Sequence, residues 1–434
     1  MIRALAAAGL CVALAAPAAA APTRTTMVDL GGLRAYVSSD QGLPLAAVEL
    51  VVRAGLERQT PAQSGLAALV AEAVLQTPVE PAPGSGRTVA LTDAVDARGA
   101  SIGYAVAAQH VRFFLEGTPE GVAATAPLVA RALAEPSFDP PVLEAARAVL
   151  GERIADEDFD PTVVGVGMLR ASYYRGGAGL PALGTTSTLA AFTPADARAF
   201  YDRWYLRGGA FVAAVGHTGE ATDAAARSLA GALREGTAAA ERLVTRPYGA
   251  QPKRIVTHRD VGSLYVALGF AAPSLGDADF ATAWVIRALL TSVFGRVSAT
   301  TQPPQLRSVG AVYGYDTSPA QFVLWLNGSR IDAAAGLGAL DTVVKAAAAK
   351  PLTAAVLSRY KETARGDWAL RTLTLDERAF AIGNAVSHGL DADAGDAVGA
   401  AIGRVTAADV QRVAKKYFQR FDVALVMPRA SSGG

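Results

Sequence analysis

The sequence predicts an α+β fold written twice: two tandem homologous α/β-sandwich domains, each a mixed sheet with helices on one face. Two internal matches and one shared element order predict it. Gly99-Ala-Ser-Ile-Gly-Tyr104 through Phe114-Leu-Glu-Gly117 matches Gly310-Ala-Val-Tyr-Gly-Tyr315 through Trp325-Leu-Asn-Gly328 at a constant offset of 211 residues. Phe192-Thr-Pro-Ala-Asp196 through Trp204-Tyr205 matches Val405-Thr-Ala-Ala-Asp409 through Tyr417-Phe418 at an offset of 213. Two separate blocks recurring at nearly one spacing argue for duplication.

The elements follow in the same order in both halves. Apolar β-rich runs open them, Leu45 to Val52 and Leu264 to Phe270, and each is followed by an Ala/Leu-rich helix, Gly65 to Leu75 or Ala281 to Val293. The Gly-Ala strand pair comes next and ends in alternating runs, Val111 to Leu115 and Phe322 to Leu326. Helices fill the middle. Thr193 and Thr406 each stand three residues before an Asp and before a helical run with aromatics, which is the pattern of an N-cap. Closing strands are expected at Phe211 to Val215 and Val423 to Val426, with a helix from Glu220 to Arg234 after the first. Strands at both ends of a half with helices between them place the helices on one sheet face.

The division that results is a signal peptide at 1–20, an N-terminal domain at 21–234, a linker at 235–252 rich in Gly, Thr and Pro, and a C-terminal domain at 253–434. Arg3 followed by the apolar run Ala4 to Ala16 and the small residues Ala18-Ala19-Ala20 reads as an export signal cleaved after Ala20, and implies a periplasmic protein. The single cysteine, Cys11, lies inside that signal, so the mature chain is expected to hold no disulfide and no thiolate ligand. The 434 residues are 51% hydrophobic and 18% charged, which excludes a disordered chain. Forty basic against 39 acidic residues, with no basic tract, speak against a nucleic-acid partner. Beyond the signal no run reaches the roughly 18 apolar residues of a membrane helix.

One stretch carries a family likeness. Two such halves behind an export signal, with Arg53-Ala-Gly-Leu-Glu-Arg-Gln-Thr-Pro-Ala-Gln-Ser-Gly65-Leu-Ala-Ala-Leu-Val-Ala-Glu-Ala73 in the first, resemble the insulinase-like (M16) zinc metallopeptidases of the short two-domain bacterial type. The resemblance implies a clamshell of domains. In active members the helix after the Gly-Leu-Ala carries His-x-x-Glu-His, two zinc ligands and a general base on one face. Here Ala68, Ala71 and Glu72 stand at those positions, and Glu152 stands where a further ligand is expected. His110, His217, His258 and His388 are at least 41 residues apart, so no helical pair of imidazoles exists. Carboxylates alone are poor zinc ligands beside imidazole. The resemblance therefore implies no cofactor in this chain and no proteolysis by it alone.

The second half offers a different family feature, an Arg and a Tyr that orient substrate in a pattern like Arg-x-x-x-Gly-x-x-Tyr. Leu306-Arg307-Ser-Val-Gly310-Ala-Val-Tyr313 matches at Gly310 and Tyr313, with Arg307 one residue nearer. In a loop before the strand that shift is absorbed; on the strand it turns the side chain to the other face. Tyr313 is the expected functional tyrosine, because Tyr315 is matched by Tyr104 and so reads as structural. The combination resembles the non-catalytic subunit of heterodimeric members, whose partner brings the His-x-x-Glu-His motif and the zinc. The strand at Ser101, Ile102, Gly103, Tyr104 and Ala105 then becomes an expected peptide contact, since a sheet edge captures extended peptides through main-chain hydrogen bonds. The competing readings are a pseudoenzyme that serves as a peptide-binding scaffold, and a stand-alone hydrolase using other residues. Gly99-Ala-Ser101-Ile-Gly103 has the spacing of a nucleophile elbow, but an alternating strand follows where a helix is required, and the repeat has Val312 at that place. The acidic run Glu152 to Asp160 reads as a solvated helix end.

Overall fold

The computed structural model describes residues 24–81, 84–237, 244–300, 306–315, 317–329 and 332–429; the side chains of 293–300, 306 and 307 lie outside that description, as does the whole expected signal peptide. The first half runs β1 (Thr26–Asp29), β2 (Arg34–Ser39), β3 (Ala46–Val52), α1 (Leu66–Gln76), β4 (Pro78–Val79), β5 (Val89–Ala90), α2 (Leu91–Asp96), β6 (Ala100–Val106) and β7 (Val111–Gly117). It continues with α3 (Pro119–Ala134), α4 (Pro140–Phe159), α5 (Pro161–Tyr173), α6 (Thr186–Ala191), α7 (Pro194–Trp204), β8 (Leu206–Gly208), β9 (Phe211–Gly216), α8 (Glu220–Gly231) and β10 (Arg234–Thr237). The second half runs β11 (Arg254–Arg259), β12 (Leu264–Ala272), α9 (Phe280–Thr300), β13 (Leu306–Gly314), β14 (Ala320–Gly328), α10 (Ala333–Ala349), α11 (Ala354–Ala369), α12 (Leu375–Ser387), α13 (Asp396–Arg404), α14 (Ala407–Tyr417) and β15 (Phe421–Pro428).

Local chemistry accounts for many of these boundaries. Gly65 takes φ +90° at the start of α1, and a Cβ there would lie 2.6 Å from the Leu183 carbonyl oxygen, so only glycine fits. At the start of α7 the Asp196 amide donates to Thr193 Oγ1 (3.3 Å) while Asp196 Oδ2 accepts from the Thr193 amide (2.8 Å). Thr406 and Asp409 repeat this box at α14 with 3.1 Å for both bonds. β10, which straddles the start of the expected linker span, pairs in parallel with β8.

The two sheets share one topology. The first has the strand order β1-β2-β9-β3-β7-β6 and the second β11-β15-β12-β14-β13. In both sheets one pair is parallel, β2 with β9 and β11 with β15, and the neighbours that follow are antiparallel. One face of each sheet packs under its own half's helices in a large apolar core. The other face is covered by a helix from the opposite half. Leu375, Ala379 and Ile382 of α12 pack on Ala47, Ala213 and Val215. Leu169 of α5 packs on Tyr265, Ala267, Val323, Ala424 and Val426. This reciprocal cover explains why β3 is buried along its whole length, as a strand enclosed on both faces must be.

Strand pairing also corrects one part of the repeat. Gly103 lies opposite Phe114, whose ring fills the space of its missing Cβ, and Gly310 lies opposite Trp325 in the same way. Phe114 and Trp325 correspond at the offset of 211, so the two covered glycines are 207 apart. The identical Gly-Ala dipeptides at 99–100 and 310–311 therefore do not occupy equivalent places. β6 and β13 start opposite the corresponding residues Gly117 and Gly328, and the register of β13 shifts between Leu306 and Ser308, where Arg307 is the extra residue of a bulge.

Candidate functional site

The helix expected to carry a degenerate metal motif is α1, and ten of its eleven residues are buried. Ala68 and Ala71 are fully enclosed in the core and present methyl groups, which bind no cation. Glu72 is buried as well, and its Oε1 accepts from Gln76 Nε2 one turn on, at 2.9 Å. It also meets the Tyr104 hydroxyl from β6. Arg153 of α4 completes the group: its guanidinium donates to Tyr104 Oη at 3.0 Å and lies 5.4 Å from the centre of that ring. Burial first, and then the Glu72 carboxylate, push the Tyr104 phenol above its ordinary range, so it stays a neutral relay between carboxylate and guanidinium.

These residues do not suit zinc. Two of the three motif positions have no donor atom, and the third faces a group already served by a fixed cation. Glu152, the expected further ligand, is exposed on α4, while its neighbour Arg153 is the residue that reaches Tyr104. Among the described residues no group of three or more His, Cys, Asp or Glu side chains is placed to hold a metal ion. An Arg–Tyr–Glu relay is what this place can support, a structural tie between α4, β6 and α1.

The expected peptide contacts lie on an outer strand. β6 is the last strand of its sheet, paired only with β7, with Ser101 exposed, Ile102, Gly103 and Ala105 half-buried and Tyr104 buried. Ile102 and Tyr104 turn toward the core, which leaves Ser101, Gly103 and Ala105 on the opposite face. β13 ends the second sheet in the same manner.

Tyr313 is a correction. It is 5% exposed, packs against Phe280, Trp284 and Phe322, and its hydroxyl donates to the Pro273 carbonyl. It is a core residue because its strand position points under α9. Tyr315 lies just past the end of β13, in contact with Phe280, Trp284 and Trp368, and lines a cavity. The pairing that made Tyr315 a counterpart of Tyr104 dissolves with the change of register. Arg307 belongs to β13, not to a preceding loop, and its side chain lies outside the described residues.

One cluster was missed from the sequence. Glu49 on β3 is 1% exposed and bonds Arg112 of β7 at 2.9 Å; Arg112 bonds Asp376 of α12 at 2.8 Å and lies over the rings of Phe114 and Phe380. Burial, opposed by Arg112, pushes Glu49 up to about 7. His110 lies buried in the same region and is pushed down to about 3 by burial and then by His388 across the seam. The available signal was Glu49 itself, the lone charge in the run Leu45 to Val52.

No family model and no curated protein matches the chain. Solved structures do. A protease from Helicobacter pylori superposes with a TM-score of 0.82 at 15% identity, over 94% of this chain and 100% of that one. The peptidase M16 inactive domain from Pseudomonas fluorescens gives 0.79 at 15% identity with the same coverage. A protein of Alicyclobacillus acidocaldarius described as M16-like gives 0.70 at 15% identity, over 94% and 99%. The chain thus has the two-domain fold of M16 peptidase-like proteins along nearly its whole length.

Proposed function

On that shared fold, we propose that this chain is the non-catalytic subunit of a periplasmic M16-type zinc metallopeptidase, paired with a separate homologue that carries His-x-x-Glu-His. The observation that carries the reading is the Arg153–Tyr104–Glu72 relay in place of a metal site. A helix whose motif positions are two enclosed methyl groups and a carboxylate tied to Tyr104 supports a lobe kept for its shape. The chain's contribution is then a peptide-binding surface, with the outer strand β6 offering main-chain hydrogen bonds at Ser101 to Ala105. Arg307, a residue of the outer strand β13, is the one assigned to position a peptide in the partner's site.

The test is metal analysis and peptidase assay of the purified chain, alone and co-expressed with a His-x-x-Glu-His homologue encoded beside it. The expected result is no zinc and no turnover alone, and a zinc-dependent complex whose rate falls with Arg307→Ala. Stoichiometric zinc in the lone chain overturns the reading. A second reading, a pseudoenzyme that binds peptides as a scaffold without a part in catalysis, is favoured by the burial of Tyr313. A stable complex whose turnover is indifferent to Arg307→Ala would select it.

A further inference from the structure

Between α10 and the start of the outer strand β11 the second half leaves a cavity of about 520 Å³, within the roughly 300–1,000 Å³ of small-molecule sites. One wall is a face of α10. Ala334, Leu337, Gly338, Asp341 and Lys345 recur there at helical spacing, and a Cβ on Gly338 would meet nothing within 4 Å. The other wall is the end of the sheet. Arg254, the first residue of β11, pairs with Val423 of β15 in parallel register, so the two side chains share a sheet face. That face is the helix side, because Val423 packs in the core of the second half with Phe421 and Leu425. Arg420 immediately precedes β15 and lines the same space. Phe418 and Phe421 line it too, and their rings are held against Phe270.

The charges in this wall do not cancel. Lys345 and Asp341 satisfy one another at 2.6 Å. Arg254 and Arg420 are both exposed, and neither has a carboxylate partner among the described residues. Asp422, the carboxylate between Phe421 and Val423, turns to the opposite sheet face, where the Ser172 hydroxyl and the Lys253 amide donate to it. Two guanidiniums are thus left beside apolar carbon, and a guanidinium is a fork of donors that fits a carboxylate. Apart from Gln419 the remaining lining is apolar, with Pro252, Leu337 and the two phenylalanines. Such a wall holds an alkyl chain and offers little to the amides of a peptide.

We propose that this cavity binds a small amphipathic carboxylate, the anion of a medium-chain fatty acid, with its head at Arg254 and Arg420 and its chain along Phe418, Phe421 and Leu337. The inference goes beyond the partner reading, because no residue of the cavity belongs to α1, β6 or β13 and neither zinc nor a second subunit is needed.

The probe is decanoate, titrated calorimetrically into the purified chain below its micellar range, beside 1-decanol and hexanoate. Saturable binding of decanoate is expected. Uncharged 1-decanol and shorter-chained hexanoate are each expected to bind at least about tenfold more weakly, one for want of the charge-assisted hydrogen bonds and the other for want of buried methylenes. Arg254→Gln combined with Arg420→Gln is expected to lower the affinity for decanoate about tenfold and to leave that for 1-decanol unchanged, since the variant and the alcohol remove the same contact. Gly338→Leu puts a side chain into open space from a helix interior, so the variant is expected to melt no lower than the wild type and to lose binding. The absence of saturable binding, equal affinity for decanoate and 1-decanol, or wild-type affinity for decanoate in either variant overturns the proposal. Should a variant fail to fold, the three ligands on the wild type decide alone.

Discussion

Each half of the chain covers the other's sheet with one helix, and the two seams are built from different chemistry. Glu49 lies opposite Phe114 and Ala213, while Ala267 lies opposite Trp325 and Ala424, the same two neighbours 211 residues on. Arg112 and Val323 correspond at the same offset. Where α12 meets the first sheet there is therefore a buried carboxylate–guanidinium pair tied to Asp376, and where α5 meets the second sheet the same places are an alanine and a valine under Leu169. Gly383 approaches so closely that a Cβ would lie 2.8 Å from Glu49 Oε1; Gly165 approaches the Tyr265 ring to 2.3 Å by the same measure. One architecture thus tolerates both an apolar and an ionic centre, as expected when close packing is common to both and charge sets orientation.

The hardest test of that difference removes one charge of the ionic seam. Arg112→Val leaves Glu49 enclosed without its partner, and a loss of about 3–5 kcal/mol is expected in urea unfolding. Glu49→Ala combined with Arg112→Val copies the apolar seam and is expected to restore stability to within about 1 kcal/mol of wild type. A double variant as unstable as the single one would show that the ionic centre is not interchangeable with the apolar one. On the other seam, Leu169→Ala opens a void beneath Tyr265, Ala267 and Val426, and the expected cost is about 3 kcal/mol, independent of pH.

The pH dependence separates the seams next. With its carboxyl pushed up to about 7, Glu49 retains a proton in the folded chain that the unfolded chain has released above about 4.5. Stability from this group is fully present below pH 4.5 and is lost as pH rises through 7. His110 acts in the opposite sense, since its depressed value makes stability fall as pH drops below the ordinary histidine range. The informative quantity is therefore the difference between wild type and Glu49→Gln, which is expected to move in favour of the variant from pH 4.5 to 7 and then level. Parallel unfolding profiles would remove Glu49 as the source. The smallest effect belongs to Asp376→Asn, whose side chain is 32% exposed; a change below about 1 kcal/mol is expected, further reduced by salt.

The candidate site was legible in the sequence unevenly. Ala68, Ala71 and Glu72 announced a helix without imidazole, and α1 lies where the Ala/Leu-rich run placed it. That Arg153, next to the expected Glu152, is the residue that reaches Tyr104 was not legible, because one step along α4 rotates a side chain by about 100° and only packing selects the direction. Tyr313 and Tyr315 were not separable in the sequence for a related reason. Both contact Phe280 and Trp284 of α9, and only the assembled core encloses Tyr313 while leaving Tyr315 at a cavity wall.

From the residues alone came the duplication, the strand and helix types and the paired caps at Thr193 and Thr406, because each rests on chemistry within a few positions of itself. The exchange of α5 and α12 between the sheets and the ionic core of one seam emerged from the assembled chain. Contacts between residues hundreds of positions apart leave no local pattern, and a strand apolar on both faces does not say which helix will cover it.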